Sequence, residues 1–156
     1  MFDFELGYWG LFISSFLAAT ILPVASEVFL GAMLALGYDP IVSLVVATVG
    51  NTLGGYLNYF LGLIGNPKWL IKVGVKEDKV LSWENAIQKY GVWLALLSWL
   101  PFIGDVIGIA LGFFRVNWIL SFIFIAIGKF VRYVFIVIFF LYFQDEVESL
   151  RNYLFK

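Results

Sequence analysis

The sequence predicts an all-α integral membrane protein that repeats one unit twice in opposite orientations: a re-entrant broken helix followed by a transmembrane helix. Three observations support this fold class. Of the 156 residues, 62% are hydrophobic and 13% are charged, whereas soluble domains contain about 45–50% apolar and about 25% charged residues. The apolar residues form four long segments, and one polar stretch separates the first two from the last two. Two of those segments contain a proline followed four residues later by an acid: Pro23 with Glu27, and Pro101 with Asp105.

The first apolar segment runs from Tyr8 to Gly37 and is interrupted by Pro23. Its front part, Tyr8–Leu22, would be about 22 Å long as a helix, which is shorter than the hydrocarbon core of about 30 Å. We therefore predict a helical hairpin that returns to the side it entered from, with Pro23–Ser26 at its tip. A single tilted and kinked helix is the alternative. Irregular backbone at that depth has to be buried in protein or line a cavity.

The second segment, Ile41–Ile64, follows Asp39-Pro40 and is long enough to span a membrane. Small and polar residues recur along it at four-residue spacing, which allows close helix packing. The amides Asn51 and Asn58 need hydrogen-bond partners in an apolar environment. The two ridges comprise Gly50, Gly54, Asn58 and Gly62, and Ser43, Ala47, Asn51 and Gly55.

Residues 65–90 form the polar stretch, and within it Asp78–Tyr90 has the spacing of an amphipathic helix. Trp83 and Tyr90 suit a membrane interface. This helix would serve either as a solvated connector or as a lipid-binding element. The stretch contains five lysines: Lys68, Lys72, Lys76, Lys79 and Lys89.

The third segment, Gly91–Phe114, is split at Pro101 and loosened by Gly104, and the fourth, Asn117–Phe143, can span with tilt. We predict a single domain. Its parts are repeat 1 (about 8–64), a polar linker (65–90), repeat 2 (about 91–143) and a tail (144–156).

If both broken segments return to their own side, each repeat crosses the membrane once and the repeats are inverted, as in many transporters. The linker and Arg115 then place six basic residues on one side, and Arg151 and Lys156 lie on the other. The positive-inside rule predicts a multi-pass protein of a prokaryotic cytoplasmic membrane, with a cytoplasmic linker and external termini. If all four segments spanned, the termini would join the linker inside.

Four ionisable residues fall at membrane depth: Glu27, Asp105, Lys129 and Arg132. Each costs about 2.5–3.5 kcal/mol to insert, so the set costs on the order of 10 kcal/mol unless its members are paired or hydrated. One interpretation is two buried salt bridges that fasten the broken helices to the last span. In the other, a lipid phosphate displaces the carboxylates from Lys129 and Arg132, and a carboxylate left unpaired takes up a proton. Backbone N–H groups near Ser26 and Gly104 would assist anion binding.

The absence of cysteine and histidine removes disulfides, thiolate nucleophiles and histidine acid–base chemistry. No catalytic motif is found, so we expect neither an enzyme nor a metal or cofactor site. The net charge of −1 argues against nucleic acid as a partner. The acidic start MFDFELGYWG lacks a positive n-region, and we interpret it as mature sequence. The expected partners are membrane lipids and protons, and homo-oligomerisation remains open.

The strings FLAATILPVASEVFLGAML, ATVGNTLGGYLNYFLG, YGVWLALLSWLPFIGDVIGIALGFFRV and GKFVRY resemble the YqaA-type branch of the DedA superfamily, which includes the VTT or SNARE-associated Golgi protein domains. The resemblance implies paired re-entrant helices in an inverted repeat. It also implies translocation of undecaprenyl phosphate or phospholipids with dependence on the proton-motive force.

Within this resemblance, Glu27 matches the family acid of the first re-entrant segment. Other branches have arginines at the positions of Ser98 and Gly104, and an aspartate where this chain has Gly55. Asp105, Lys129 and Arg132 would take over their roles. The remaining residues expected at the helix breaks or along the lining of the site are Pro23, Ser26, Asn51, Asn58, Ser98, Pro101, Gly104 and Tyr133.

The leading hypothesis is therefore a transporter that flips or scrambles a phosphorylated lipid with proton coupling. Two other classes remain open. One is a non-transporting factor that organises or assembles membrane components. The other is a proton- or cation-coupled transporter of small solutes, in which Glu27 and Asp105 would bind the cation.

Overall fold

A computed structural model describes residues 2–20, 25–72, 74–101 and 103–154, with side chains described for 7–20, 26–68, 70–72, 74–101 and 103–145. All regular structure in these ranges is helical, as the sequence predicts. The elements are α1 (Phe2–Ala18), α2 (Ala25–Ala35), α3 (Pro40–Ile64), α4 (Lys68–Lys72), α5 (Glu77–Leu94), a 3₁₀ helix (Ala95–Trp99), α6 (Ile103–Phe113) and α7 (Trp118–Leu154).

Two of the described helices are long and apolar enough to cross a membrane: Pro40–Ile64 and Trp118–Asp145. The first begins as the sequence predicts. Asp39 is its N-cap and accepts hydrogen bonds from the backbone N–H groups of Ile41 (2.8 Å) and Val42 (2.9 Å), and proline at the first helical position needs no N–H partner. At about 1.5 Å per residue, α3 is about 37 Å long.

The long helices α3 and α7 are antiparallel and pack along their length. Ala47 of α3 shares an apolar cluster with Tyr133 and Val137 of α7. Nearer the other end of α3, the rings of Tyr56 and Phe122 are 4.6 Å apart. Residues nearer the C-terminus of α3 therefore contact residues nearer the N-terminus of α7, as expected for antiparallel helices.

Helices α1 and α2 pack side by side in opposite directions, unlike the two halves of one kinked helix. Gly10 faces the ring of Phe29, and Tyr8 contacts Tyr38 with ring centroids 5.3 Å apart. Helix α1 runs parallel to α3, since Gly50 lies against the Phe12 carbonyl and Gly54 lies against that of Phe16. The glycine ridge of α3 thus admits the backbone of α1, as its spacing predicts.

The second broken segment is arranged around the same long helices. After the 3₁₀ helix the chain turns at Leu100–Pro101, so the predicted break at Pro101 is confirmed. Helix α6 then runs parallel to α3: a Cβ placed on Gly108 would lie 3.1 Å from the Gly55 carbonyl oxygen, and Gly62 lies against the Ile109 carbonyl. The contacts between α6 and α3 are therefore again made through glycines.

Several boundaries differ from the sequence prediction. Helix α5 continues to Leu94, beyond the predicted linker end at residue 90, because Gly91 packs against Leu111 and allows the helix to run into the core. Helix α7 continues through the predicted tail to Leu154. Ser26, expected at a hairpin tip, instead lies in the first turn of α2. Pro23, expected at that tip, lies outside the described residues.

Candidate functional site

The first ion pair of the candidate site joins α7 to α6. The Lys129 ammonium lies 2.7 Å from Asp105 Oδ1. The lysine side chain is 1% exposed and the aspartate side chain is 17% exposed. A Cβ placed on Gly55 of α3 would lie 3.6 Å from Lys129 Cε, so the missing side chain at position 55 leaves room for the lysine stem.

The second ion pair joins the same helix to α2. The Arg132 guanidinium donates to Glu27 Oε1. The arginine side chain is 6% exposed, whereas the glutamate side chain is 33% exposed. In both pairs the base is therefore the buried partner and the acid is the accessible partner.

The two acids occupy equivalent positions. Each is the third residue of an 11-residue helix: Glu27 in α2 and Asp105 in α6. In the first turn, a carboxylate is stabilised by the helix dipole. Lys129 lies 11 residues after the start of the span Trp118–Asp145, and Arg132 lies 13 residues before its end. The structure thus brings the four charged residues together near the middle of the last span.

A hydroxyl pair lies next to the Glu27–Arg132 ion pair. The Tyr133 hydroxyl, on a fully buried side chain, donates to Ser26 Oγ at 2.9 Å. The first turn of α2 is therefore attached to α7 by an ion pair and an adjacent neutral hydrogen bond.

The amides of α3 hold the end of α1. Asn51 Nδ2 donates to the Ser15 carbonyl at 2.9 Å, and Asn58 Nδ2 donates to the Ala19 carbonyl at 2.7 Å. Carbonyls at a helix C-terminus have no intrahelical partner, so these amides satisfy groups that the break leaves open. Both asparagines are buried, and their observed contacts are structural.

Around the second break, the serine and the glycine have packing roles. Ser98 is fully buried, and its Oγ donates to the Ile125 carbonyl of α7 at 3.2 Å. The Gly104 N–H donates to the Leu100 carbonyl at 3.0 Å. Gly104 lies against the Ser98 backbone, where a Cβ would not fit.

One residue that the sequence did not single out is Gly128, directly before Lys129. A Cβ at Gly128 would lie against Ser98 Oγ and 2.8 Å from the Leu96 carbonyl. This glycine lets the 3₁₀ helix approach α7 beside the Lys129–Asp105 pair. A glycine next to a lysine inside an apolar segment is the signal that could have identified it.

Comparison with known proteins gives consistent matches over most of the chain. The VTT domain matches residues 22–142. The chain is 40% identical over 134 residues to the inner membrane protein YqaA of Escherichia coli (strain K12), covering 83% of this chain and 87% of that protein. It is 39% identical over 132 residues to an uncharacterised protein of Haemophilus influenzae, covering 80% and 81% of the two chains. No solved structure matches the chain.

Proposed function

We propose, from the premise that this chain belongs to the VTT-domain (DedA) family of membrane proteins, that it translocates a phosphorylated lipid with proton coupling. The observation that carries this proposal is the pair of ion pairs on α7. Each base is buried, and each acid is more accessible and lies on a separate short helix. Such pairs can exchange one anionic partner for another near the middle of a membrane.

The proposed topology places α1–α2 and the 3₁₀ helix–α6 unit as two re-entrant hairpins in an inverted repeat. The helix directions support it: α1 and α6 run parallel to α3, and α2 runs parallel to α7 from the Glu27–Arg132 pair to the Gly31–Phe140 contact. This topology places the linker in the cytoplasm and both termini outside. Reporter tags on the two termini test it, since cytoplasmic signals from both tags would contradict it.

The proposed exchange conserves charge at each buried base. Removing the partner of a buried charge is strongly unfavourable, so Lys129 and Arg132 must keep an anion throughout. A phosphate oxygen fulfils this requirement because both bases form charge-assisted hydrogen bonds with phosphate as well as with carboxylate. The accessible carboxylates would swing aside while the bases remain in place.

Charge balance also gives the proton a role. Glu27, Asp105, Lys129 and Arg132 together carry no net charge when all are ionised. A bound phosphate makes the set net negative, and a carboxylate that has lost its base is then favoured to take up a proton. Phosphate binding and proton uptake would be coupled through the same four groups. The mechanism consists of binding exchange and proton transfer, and it includes no enzymatic step.

Liposomes containing the purified protein test this proposal with a fluorescent undecaprenyl-phosphate analogue and a fluorescent glycerophospholipid, each with and without a pH gradient. We expect flip-flop of at least one lipid to accelerate in the wild type. Glu27→Gln and Lys129→Met should abolish that acceleration, while the matched control Glu77→Gln, in the exposed linker, should retain it. Normal flux in both site variants, with folding verified by thermal unfolding, would rule out these residues as the site.

A further inference from the structure

A second site lies at the opposite end of α3 from its N-cap, where α3 ends and the turn before α7 begins. A groove of about 480 Å³ opens there. Its surface is mainly apolar and aromatic, and one cationic side chain belongs to it. The lining residues are Tyr59, Phe60, Leu63, Arg115, Val116, Asn117 and Trp118.

The cationic residue, Arg115, has a backbone conformation that normally selects glycine. Its φ is +56°, in the left-handed region. The Arg115 N–H donates to the Gly112 carbonyl and the Val116 N–H donates to that of Leu111, both at 2.9 Å. This is the pattern that closes a helix with glycine at the left-handed position. A side chain here has a backbone cost, and such strain often accompanies functional positions.

The turn is fixed by a further contact, because the Tyr59 hydroxyl donates to the Val116 carbonyl. Arg115 itself is exposed, and within the part of the chain that the structure describes it forms no ion pair. It therefore differs from Lys129 and Arg132, which are buried and paired with acids.

The groove lies where the two candidate membrane spans end, at the C-terminus of Pro40–Ile64 and the N-terminus of Trp118–Asp145. Trp118 is the first residue of a spanning helix and is 57% exposed, and tryptophan favours the level of the lipid headgroups. The exposed lysines Lys68 and Lys72 follow the end of α3 at this same end of the helix pair. Net negative lipids are attracted to such basic residues next to a membrane span.

We propose that this groove binds one anionic glycerophospholipid, with its phosphate on the Arg115 guanidinium and an acyl chain against Phe60 and Leu63. Free phosphate would leave the apolar wall of the groove uncovered. A zwitterionic lipid would gain less from the surrounding basic residues. The site is separate from the central charges, since Trp118, at the start of α7, and Lys129 are 11 residues apart, or about 16 Å along that helix. Lipid binding in this groove does not depend on whether the central charged residues take part in lipid transport.

Thermal unfolding in detergent, with phosphatidylglycerol or phosphatidylcholine added, tests the site through the variant Arg115→Gly. Glycine fits the left-handed backbone, so without lipid this variant should melt at the wild-type temperature or above it. The wild type should be stabilised more by phosphatidylglycerol than by phosphatidylcholine. The variant should bind phosphatidylglycerol about tenfold more weakly or worse, as expected for the loss of a charge-assisted contact.

Lys79→Ala, which removes an exposed linker charge, is the matched control and should retain the full phosphatidylglycerol effect. Native mass spectrometry provides a second measurement, in which Arg115→Gly should hold one tightly bound lipid fewer than the wild type. The proposal is overturned if Arg115→Gly keeps the selective stabilisation and the bound lipid. It is also overturned if phosphatidylcholine or inorganic phosphate stabilises the wild type equally well.

Discussion

Removing either partner of the Lys129–Asp105 pair should lower the free energy of unfolding, whereas removing both should restore it. The proposed lipid transport should be lost in the double variant. The lysine is 1% exposed and the aspartate is 17% exposed. Asp105→Leu leaves the more deeply buried charge without a partner, and we expect a cost of about 3–5 kcal/mol. Lys129→Met leaves the more accessible carboxylate, and we expect a smaller cost of about 1–2 kcal/mol.

The double variant Asp105→Leu/Lys129→Met should unfold within about 1 kcal/mol of the wild type, because an apolar pair often replaces a buried ion pair without loss. If the double variant is as stable as the wild type, the cycle gives a coupling of about 4–7 kcal/mol, within the range measured for close charge pairs. Coulomb's law gives the same order: at 2.7 Å, the attraction is about 6 kcal/mol for an effective dielectric constant of about 20.

Denaturant unfolding in detergent micelles, followed by tryptophan fluorescence, measures the four free energies, and the same preparations are used for lipid flux. A double variant as unstable as Asp105→Leu would show that the loss does not come from an unpaired charge. A double variant that is stable and also moves lipid at the wild-type rate would show that this pair only fastens α6 to α7.

Four further substitutions test the packing that surrounds the site, each by thermal or denaturant unfolding. Gly62→Ala places a methyl group against the Ile109 carbonyl and should destabilise the protein by about 1–3 kcal/mol. In the matched Gly31→Ala, the new Cβ has a single neighbour at 4.0 Å, so this variant should stabilise the protein by about 0.5–1 kcal/mol. Asn58→Leu removes the hydrogen bond to the Ala19 carbonyl, directly after α1, and should lower the free energy of unfolding by about 1–3 kcal/mol, with faster hydrogen exchange in α1 than in α6. Tyr133→Phe removes one buried hydrogen bond and should cost about 1 kcal/mol; no loss would mean that this contact does not hold α2.

The features predicted correctly from the sequence depend on neighbouring residues. The start of α3 follows from Asp39-Pro40, which supplies a side-chain acceptor and removes a donor within two positions. The break at Pro101 follows from the missing N–H and the steric effect of the proline ring. The buried ridges of α3 follow from the four-residue spacing of small side chains.

What the sequence could not determine depends on contacts between distant segments. Glu27 had two candidate bases on one helix face, and only the parallel packing of α2 on α7 pairs it with Arg132. The polar linker gave no sign that α5 continues to Leu94, because that boundary depends on Gly91 packing against Leu111. The roles of Asn51 and Asn58 depended on where α1 ends.

The distribution of polar contacts indicates which helices can move. Lipid tails are as apolar as leucine, so apolar packing alone holds helices weakly in place within a membrane and polar contacts contribute specificity. The end of α1 is held by neutral amides of α3, which a phosphate would not displace. The first turns of α2 and α6 are held by charges on α7, for which a phosphate competes directly. A phosphate bound to Lys129 or Arg132 should therefore loosen α2 and α6 from α7 while α1 stays attached to α3. Hydrogen exchange with and without bound lipid phosphate should show that difference, and equal loosening of α1 would contradict it.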